Sequence, residues 1–149
     1  INMSALKSAS LLFFIFLFSG CSSDDAEVVI ENLSYEIIFE SQLSYSRGEK
    51  IPKQYKVFTD REDWLDFIPT IEEVNPDRAE NLENIDFDFT NANLIIVIGE
   101  FYNSCCTKIT INQVYKRSDN IIVDFEESEP GVAAALSQTY LLIKTQKQN

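Results

Sequence analysis

The chain contains no histidine among its 149 residues. Histidine is the commonest general base near neutral pH and a frequent metal ligand, so its absence removes many catalytic arrangements. A Ser-His-Asp triad and a Cys-His pair are excluded. A zinc site would need cysteine and carboxylate ligands alone, and the chain has only 3 cysteines. We therefore expect no enzyme activity, no catalytic residues, no metal site and no cofactor.

Basic residues are also scarce, because 12 Lys and Arg stand against 24 Asp and Glu and the net charge is -12. Binding to nucleic acid depends on Lys and Arg that displace counterions, so nucleic acid is not an expected partner. Carboxylates could bind calcium, but no segment has the glycine-containing loop of an EF-hand. We expect a solvated acidic surface; its clusters are Glu72 and Glu73, Asp86 and Asp88, and Glu126, Glu127 and Glu129.

The longest apolar run, residues 11–18, follows Lys7, the only charged residue before the first cysteine. Small residues, Ser19 and Gly20, separate the run from Cys21. A positive start, a short apolar core and small residues at a cleavage site are typical of a secretory signal. The run is too short to span a bilayer, which takes roughly 20 residues. We expect Met3 to be the initiator and residues 1–20 to be a lipoprotein signal peptide.

The segment Leu17, Phe18, Ser19, Gly20, Cys21 resembles the lipobox of bacterial lipoproteins, with Phe18 where leucine is usual. The resemblance implies that the Cys21 sulfur carries a lipid, and acyl chains anchor a protein stably in a membrane. Residues 21–26 form an acidic tether that resembles the surface-export signal of Bacteroidetes lipoproteins. This implies an outer-membrane lipoprotein that is displayed at the cell surface, with periplasmic retention as the alternative.

Residues 27–145 are predicted to form one α+β domain, mainly an antiparallel sheet of about six strands with one short helix. Residues 146–149 form a polar tail. Large apolar residues recur at every second position at Tyr35, Ile37 and Phe39, which predicts a strand. Further strands are expected at residues 54–58, 94–99, 107–115, 121–125 and 139–144, and the most apolar of them, residues 94–99, is predicted to be a buried central strand.

The helix is predicted directly after residues 54–58. Thr59 and Glu62 have the spacing of a capping box, in which a hydroxyl bonds the third backbone N–H of the helix. Trp64 begins an apolar stripe at helical spacing, and Pro69 is expected to end the helix. Residues 70–84 are expected to be a loop or a short helix.

This order of elements resembles the PrcB C-terminal domain family, which is named for an accessory subunit of a surface protease complex. The resemblance spans residues 54–144 and implies the same α+β fold, an accessory protein-binding role and an exported protease or envelope complex as partner. The matching residues are Asp60, Trp64, Asp88, Phe89, Ile95, Ile96, Val97, Ile98, Gly99, Ile109, Ile111, Val114, Pro130, Tyr140, Leu141, Leu142 and Ile143.

Cys105 and Cys106 stand where that family has two glycines. Adjacent Cα atoms lie about 3.8 Å apart across a trans peptide, whereas disulfides prefer roughly 4.4–6.8 Å. This geometry favours two free, partly buried thiols. A vicinal disulfide and a disulfide between two chains are the alternatives, since an exported protein meets oxidising conditions.

We expect a non-catalytic, membrane-anchored lipoprotein that acts as a protein-binding or accessory module. Two loops are the candidate binding surfaces. One is residues 128–132, and the other consists of Tyr102, Asn103, Ser104, Cys105 and Cys106. The alternative is a lipoprotein that binds a glycan or a small molecule through aromatic residues such as Tyr102.

Overall fold

The computed structural model describes residues 29–44 and 49–147. Within these ranges the chain forms seven strands and two helices. In chain order they are β1 Ile30–Asn32, β2 Tyr35–Ser44, β3 Gln54–Phe58, α1 Arg61–Glu72, α2 Pro76–Glu83, β4 Ala92–Cys105, β5 Ile109–Arg117, β6 Asn120–Glu127 and β7 Ala133–Gln146. The predicted α+β class, with mainly antiparallel sheet and little helix, is confirmed.

The strands form two sheets in which every neighbouring pair is antiparallel. The main sheet has the order β2-β7-β4-β3, and the small sheet has the order β1-β5-β6. The longest strands, β4 and β7, therefore lie side by side at the centre of the main sheet. Residues 94–99, predicted to be a buried central strand, lie in β4.

The main sheet is the middle of three layers, with the helices on one face and the small sheet on the other. The side chains of β4 pack on both faces. Leu94 and Ile96 pack on one face with both helices, in a cluster centred on Trp64. Ile95 and Val97 pack on the other face, against the small sheet. Because side chains alternate between the faces of a strand, a strand that is covered on both sides is apolar at every position.

Helix α1 differs from the prediction at both ends. Its N-cap is Asp60 rather than Thr59, because the Asp60 carboxylate accepts a hydrogen bond from the Asp63 N–H at 2.9 Å. The helix also continues through Pro69 to Glu72. A proline inside a helix removes one hydrogen bond, but Pro69 lies on the exposed side, and the next turn buries Ile71 completely.

The segment after α1 contains the short helix that was one of its two predicted alternatives, and β4 is longer than predicted. Residues 76–83 form a second helix, α2, which begins at Pro76, where the missing N–H costs nothing. Strand β4 does not end at Gly99 but continues to Cys105, paired with β7 across two irregularities that follow Ile98 and Tyr102. The predicted loop at residues 100–106 is therefore mostly strand.

Candidate functional site

The site begins where β4 and β7 run beyond the strands that flank them. Strand β3 pairs with β4 only as far as Ile98, whereas β4 pairs with β7 as far as Cys105 opposite Ala133. Of the five residues predicted to bind a partner, Asn103 and Cys106 are exposed, and Tyr102, Ser104 and Cys105 are half-buried. All but Cys106 therefore lie on a strand rather than a loop.

Cys105 and Cys106 are joined by a vicinal disulfide. The peptide between them is cis, and their Cα atoms lie 3.1 Å apart. The structure therefore has the vicinal disulfide that the sequence left as an alternative, and not the two free thiols that were favoured. The disulfide lies at the end of β4.

Gly131 connects the second predicted loop to this disulfide. A Cβ atom on Gly131 would lie 2.8 Å from the Cys105 carbonyl oxygen, closer than side chains normally approach. Only glycine allows this contact without a shift of the backbone. The two segments that the sequence proposes separately, residues 102–106 and 128–132, therefore meet at one place.

Residues 132–136 are an apolar stretch that is exposed to solvent throughout. Val132 is fully exposed, Leu136 is 52% exposed, and three exposed alanines lie between them. Runs of exposed apolar residues are unfavourable in water unless another surface covers them. We use the name ribbon end for this stretch together with Gly131 and residues 102–106.

Glu127, the last residue of β6, anchors the base of the ribbon end. Its side chain is 2% exposed, although Glu is rarely buried without partners. The carboxylate accepts hydrogen bonds from the Glu100 N–H at 2.7 Å and from the Thr107 hydroxyl at 2.6 Å. Lys53 Nζ lies 3.9 Å from the same carboxylate. These contacts tie the small sheet to β4 beside the disulfide.

The space for the Glu127 carboxylate exists because residue 99 is glycine. A Cβ atom on Gly99 would lie 2.7 Å from the Glu127 carboxyl carbon, so a side chain there would displace the carboxylate. The Gln138 amide donates to the Gly99 carbonyl at 2.8 Å and to the Ile51 carbonyl at 2.7 Å. The base of the ribbon end is thus fixed by polar contacts of the Glu127 carboxylate and the Gln138 amide.

Hydroxyl groups extend this network. The Thr107 and Thr139 hydroxyls lie 2.7 Å apart, and the Thr139 hydroxyl also contacts the Thr107 carbonyl at 2.9 Å. Both threonines are buried. The carboxylate and the hydroxyls therefore position the strands.

Carboxylates dominate the charge around Tyr102, although Lys53 lies beside Glu127 and Lys50 lies over the ring of Phe101. Partial burial raises the pKa of its phenol, and the nearby carboxylates of Glu127, Glu129 and Glu100 raise this pKa further. A carboxylate ligand would be repelled here, whereas a hydrogen-bond acceptor without charge or a basic group would not. The ribbon end thus combines apolar residues with an acidic surrounding.

Sequence reasoning missed the role of Glu127, which it placed in a solvated acidic cluster. The usable signal was Gly99, a glycine directly after five buried apolar residues of a strand, since such a glycine often marks the close approach of another group. Within residues 29–44 and 49–147, no three His, Cys, Asp or Glu side chains are grouped to hold a metal ion.

The predicted lipid site, Cys21, lies outside the described residues, as do the whole signal peptide and the whole tether. Neither helix in the described part of the chain combines the length and the apolar composition needed to cross a bilayer. The chain matches no protein-family model, no curated protein and no solved structure.

Proposed function

We propose that this chain is a non-catalytic lipoprotein, anchored through Cys21, that binds a protein partner through the ribbon end. The observation that carries the proposal is the exposed apolar stretch at residues 132–136, beside the disulfide of Cys105 and Cys106. Exposed apolar patches with polar borders are typical of protein-binding surfaces.

The rigid base of the ribbon end supports the same proposal. Binding costs less when the contact surface is already ordered in the free protein. The Glu127 carboxylate, the Gln138 amide and Gly131 each fix the backbone that carries the exposed residues. The backbone of the ribbon end therefore does not have to become ordered when a partner binds to its apolar residues.

The charge of the ribbon end favours a partner of a particular chemistry. Glu100 and Glu129 lie near Tyr102, and the whole chain carries a net charge of -12. The partner surface should be apolar at its centre and basic at its border, because complementary charge speeds and orients association. The resemblance to the PrcB C-terminal domain family favours an exported protease or an envelope complex.

The location belongs to the same proposal. The signal-like residues 1–20 and Cys21 favour attachment to the outer membrane, and the acidic tether at residues 21–26 favours display at the cell surface. Protease treatment of intact cells tests this, because a displayed domain is digested and a periplasmic domain is protected until the outer membrane is opened.

The experiment on partner binding uses the full chain and envelope extracts. Val132→Asp and Leu136→Asp each place a charge in the apolar stretch and should abolish recovery of the partner. Ile30→Asp is the matched control, because Ile30 is 60% exposed on β1, far along the chain from the ribbon end. The proposal fails if no partner is recovered, or if all three variants recover it equally.

The alternative, a glycan or small-molecule site at Tyr102, makes a different prediction. Tyr102→Ala would then abolish binding to a soluble glycan or small molecule, and Leu136→Asp would leave that binding unchanged. A screen of soluble ligands with these two variants separates the two functions.

A further inference from the structure

A groove lies on the helix side of the main sheet, between α2 and β2. Its apolar residues are Phe39 of β2, Leu82 of α2, Ile85, and Leu142 of β7. The cavity volume is about 320 Å³, which is at the small end of the range of roughly 300–1,000 Å³ found for ligand pockets. We call it the α2–β2 groove, and it is separate from the ribbon end.

Three polar residues line the same groove: Arg78 and Asn81 of α2, and Tyr140 of β7. Tyr140 is completely buried, and its hydroxyl has no partner within hydrogen-bond distance among the described residues, although the Ser41 hydroxyl is close enough to lower its pKa. Buried polar atoms in folded proteins almost always have a partner, and leaving one without a partner is unfavourable. The hydroxyl can therefore donate to a group that enters the groove and reaches this buried position.

The hydroxyl of Tyr140 is a donor. Burial raises its pKa to about 12, although the neighbouring Arg78 charge and the Ser41 hydroxyl act in the opposite direction. The phenol stays protonated at any physiological pH and can donate to an acceptor. Arg78 supplies a positive charge on the same side, so both groups favour an anionic acceptor such as a carboxylate.

The surface next to the groove has the opposite character. Phe39 and Ile85 also line a neighbouring cavity, which is bordered by Glu36, Asp86 and Asp88 and has Lys144 as the only cation among its lining residues. An anionic group would meet a net negative charge there. The anionic end of a ligand therefore belongs beside Arg78, and its apolar part belongs against Phe39 and Ile85.

We propose that the α2–β2 groove binds a small apolar carboxylate, with the carboxylate held by Arg78 and the Tyr140 hydroxyl and the apolar part packed on Phe39 and Ile85. The site is independent of the protein-binding role of the ribbon end, so either proposal can fail without the other.

The test is an NMR titration of the full chain in lipid bicelles with octanoate, octanamide and octylamine, which share one alkyl length. Trp64, the only tryptophan, gives a unique indole signal. Its indole N–H donates to the Leu82 carbonyl at 3.0 Å, so it reports on the wall of the groove. Octanoate should shift this signal together with the amides of Leu82 and Ile85, whereas octylamine should not.

Two variants locate the carboxylate. Arg78→Gln should weaken octanoate binding about tenfold or more, because a hydrogen bond to a charged group is lost. It should leave octanamide binding nearly unchanged. Arg117→Gln is the matched control, since Arg117 is exposed at the end of β5. Equal effects of the two arginine variants on octanoate would overturn the proposal.

Tyr140→Phe separates a ligand contact from a structural role. The variant removes a hydroxyl that has no partner among the described residues, so the unfolding temperature should stay the same or rise. Octanoate binding should weaken about fivefold. If Tyr140→Phe binds octanoate as tightly as the native chain does, the groove does not bind carboxylates in this way. The same conclusion follows if octanoate at any concentration leaves the indole signal of the native chain unshifted.

Discussion

Replacing Gly99 with alanine should force the Glu127 carboxylate out of its buried position. The new Cβ would lie 2.7 Å from the carboxyl carbon, and the carboxylate is the part of the pair that can move. On leaving, it gives up its hydrogen bonds from the Glu100 N–H and the Thr107 hydroxyl. The cost of Gly99→Ala should therefore be the cost of losing the Glu127 contacts.

The size of that cost follows from the contacts themselves. A hydrogen bond to a charged group contributes about 1.5–3 kcal/mol, and the half-exposed Lys53 adds less than about 1 kcal/mol. Burial of the carboxylate opposes these gains. We expect Glu127→Ala and Gly99→Ala each to lower the free energy of unfolding by about 2–3 kcal/mol. Glu126→Ala, at a neighbouring position, should change it by less than about 0.5 kcal/mol.

The double variant gives the decisive comparison. Without the Glu127 carboxylate, the methyl side chain of an alanine at position 99 has space. Alanine also restricts the unfolded chain more than glycine does, which stabilises the folded protein by about 0.4–1 kcal/mol. The double variant should therefore be no less stable than Glu127→Ala alone. Urea unfolding followed by the fluorescence of Trp64 measures the free energy of unfolding of the native chain and of all four variants. If the two single losses add to within about 0.5 kcal/mol, the residues do not share this contact and the reasoning is refuted.

The remaining predictions concern other parts of the chain. Asp60→Ala should lower the free energy of unfolding by about 1 kcal/mol, because α1 loses its N-cap. Thr59→Ala should lower it much less. A larger loss for Thr59→Ala would show that Thr59 is the N-cap, as the sequence predicted. Trp64→Phe should cost about 2 kcal/mol, from its lost hydrogen bond and a cavity, and urea unfolding followed by circular dichroism checks this. In an alkaline absorbance titration one tyrosine should ionise with a pKa of about 12. That step should be missing in Tyr140→Phe, and stability should fall as the pH rises from about 10 toward this pKa. Cys21→Ala should abolish metabolic labelling with a lipid precursor, and persistent labelling would contradict the anchor.

Much of the fold follows from the residues because local patterns decide it. Strand β3 was predicted with the bounds that the structure has, since a short alternating segment between turn residues has few alternatives. The apolar helical stripe predicted to begin at Trp64 is confirmed, because Trp64, Phe67 and Ile68 lie on α1 and are buried. The α+β class required only these local signals and their order.

The misses arise where distant contacts override local signals. Pro69 predicts the end of a helix, but burial of Ile71 in the following turn keeps α1 helical. Gly99 predicts the end of β4, but pairing with β7 continues to Cys105. In both segments the deciding interaction is with a residue far along the chain, which a pattern of neighbouring residues does not contain.

The candidate site was predicted in part. Both of its segments, residues 102–106 and 128–132, were named from the sequence, but their contact through Gly131 depends on the pairing of β4 with β7. The state of Cys105 and Cys106 was left open, with free thiols favoured, because a trans peptide was assumed. Mass measurement with and without reductant compares the bonded and free states directly.

The most direct test of the protein-binding function is photo-crosslinking in intact cells. A photoreactive residue at Val132 of the full chain should give one adduct of discrete mass, and Leu136→Asp should abolish it. The same residue at Asp119, in the exposed turn between β5 and β6, should give no such adduct. Adducts of equal yield at both positions, or none at Val132, would contradict a protein partner at the ribbon end.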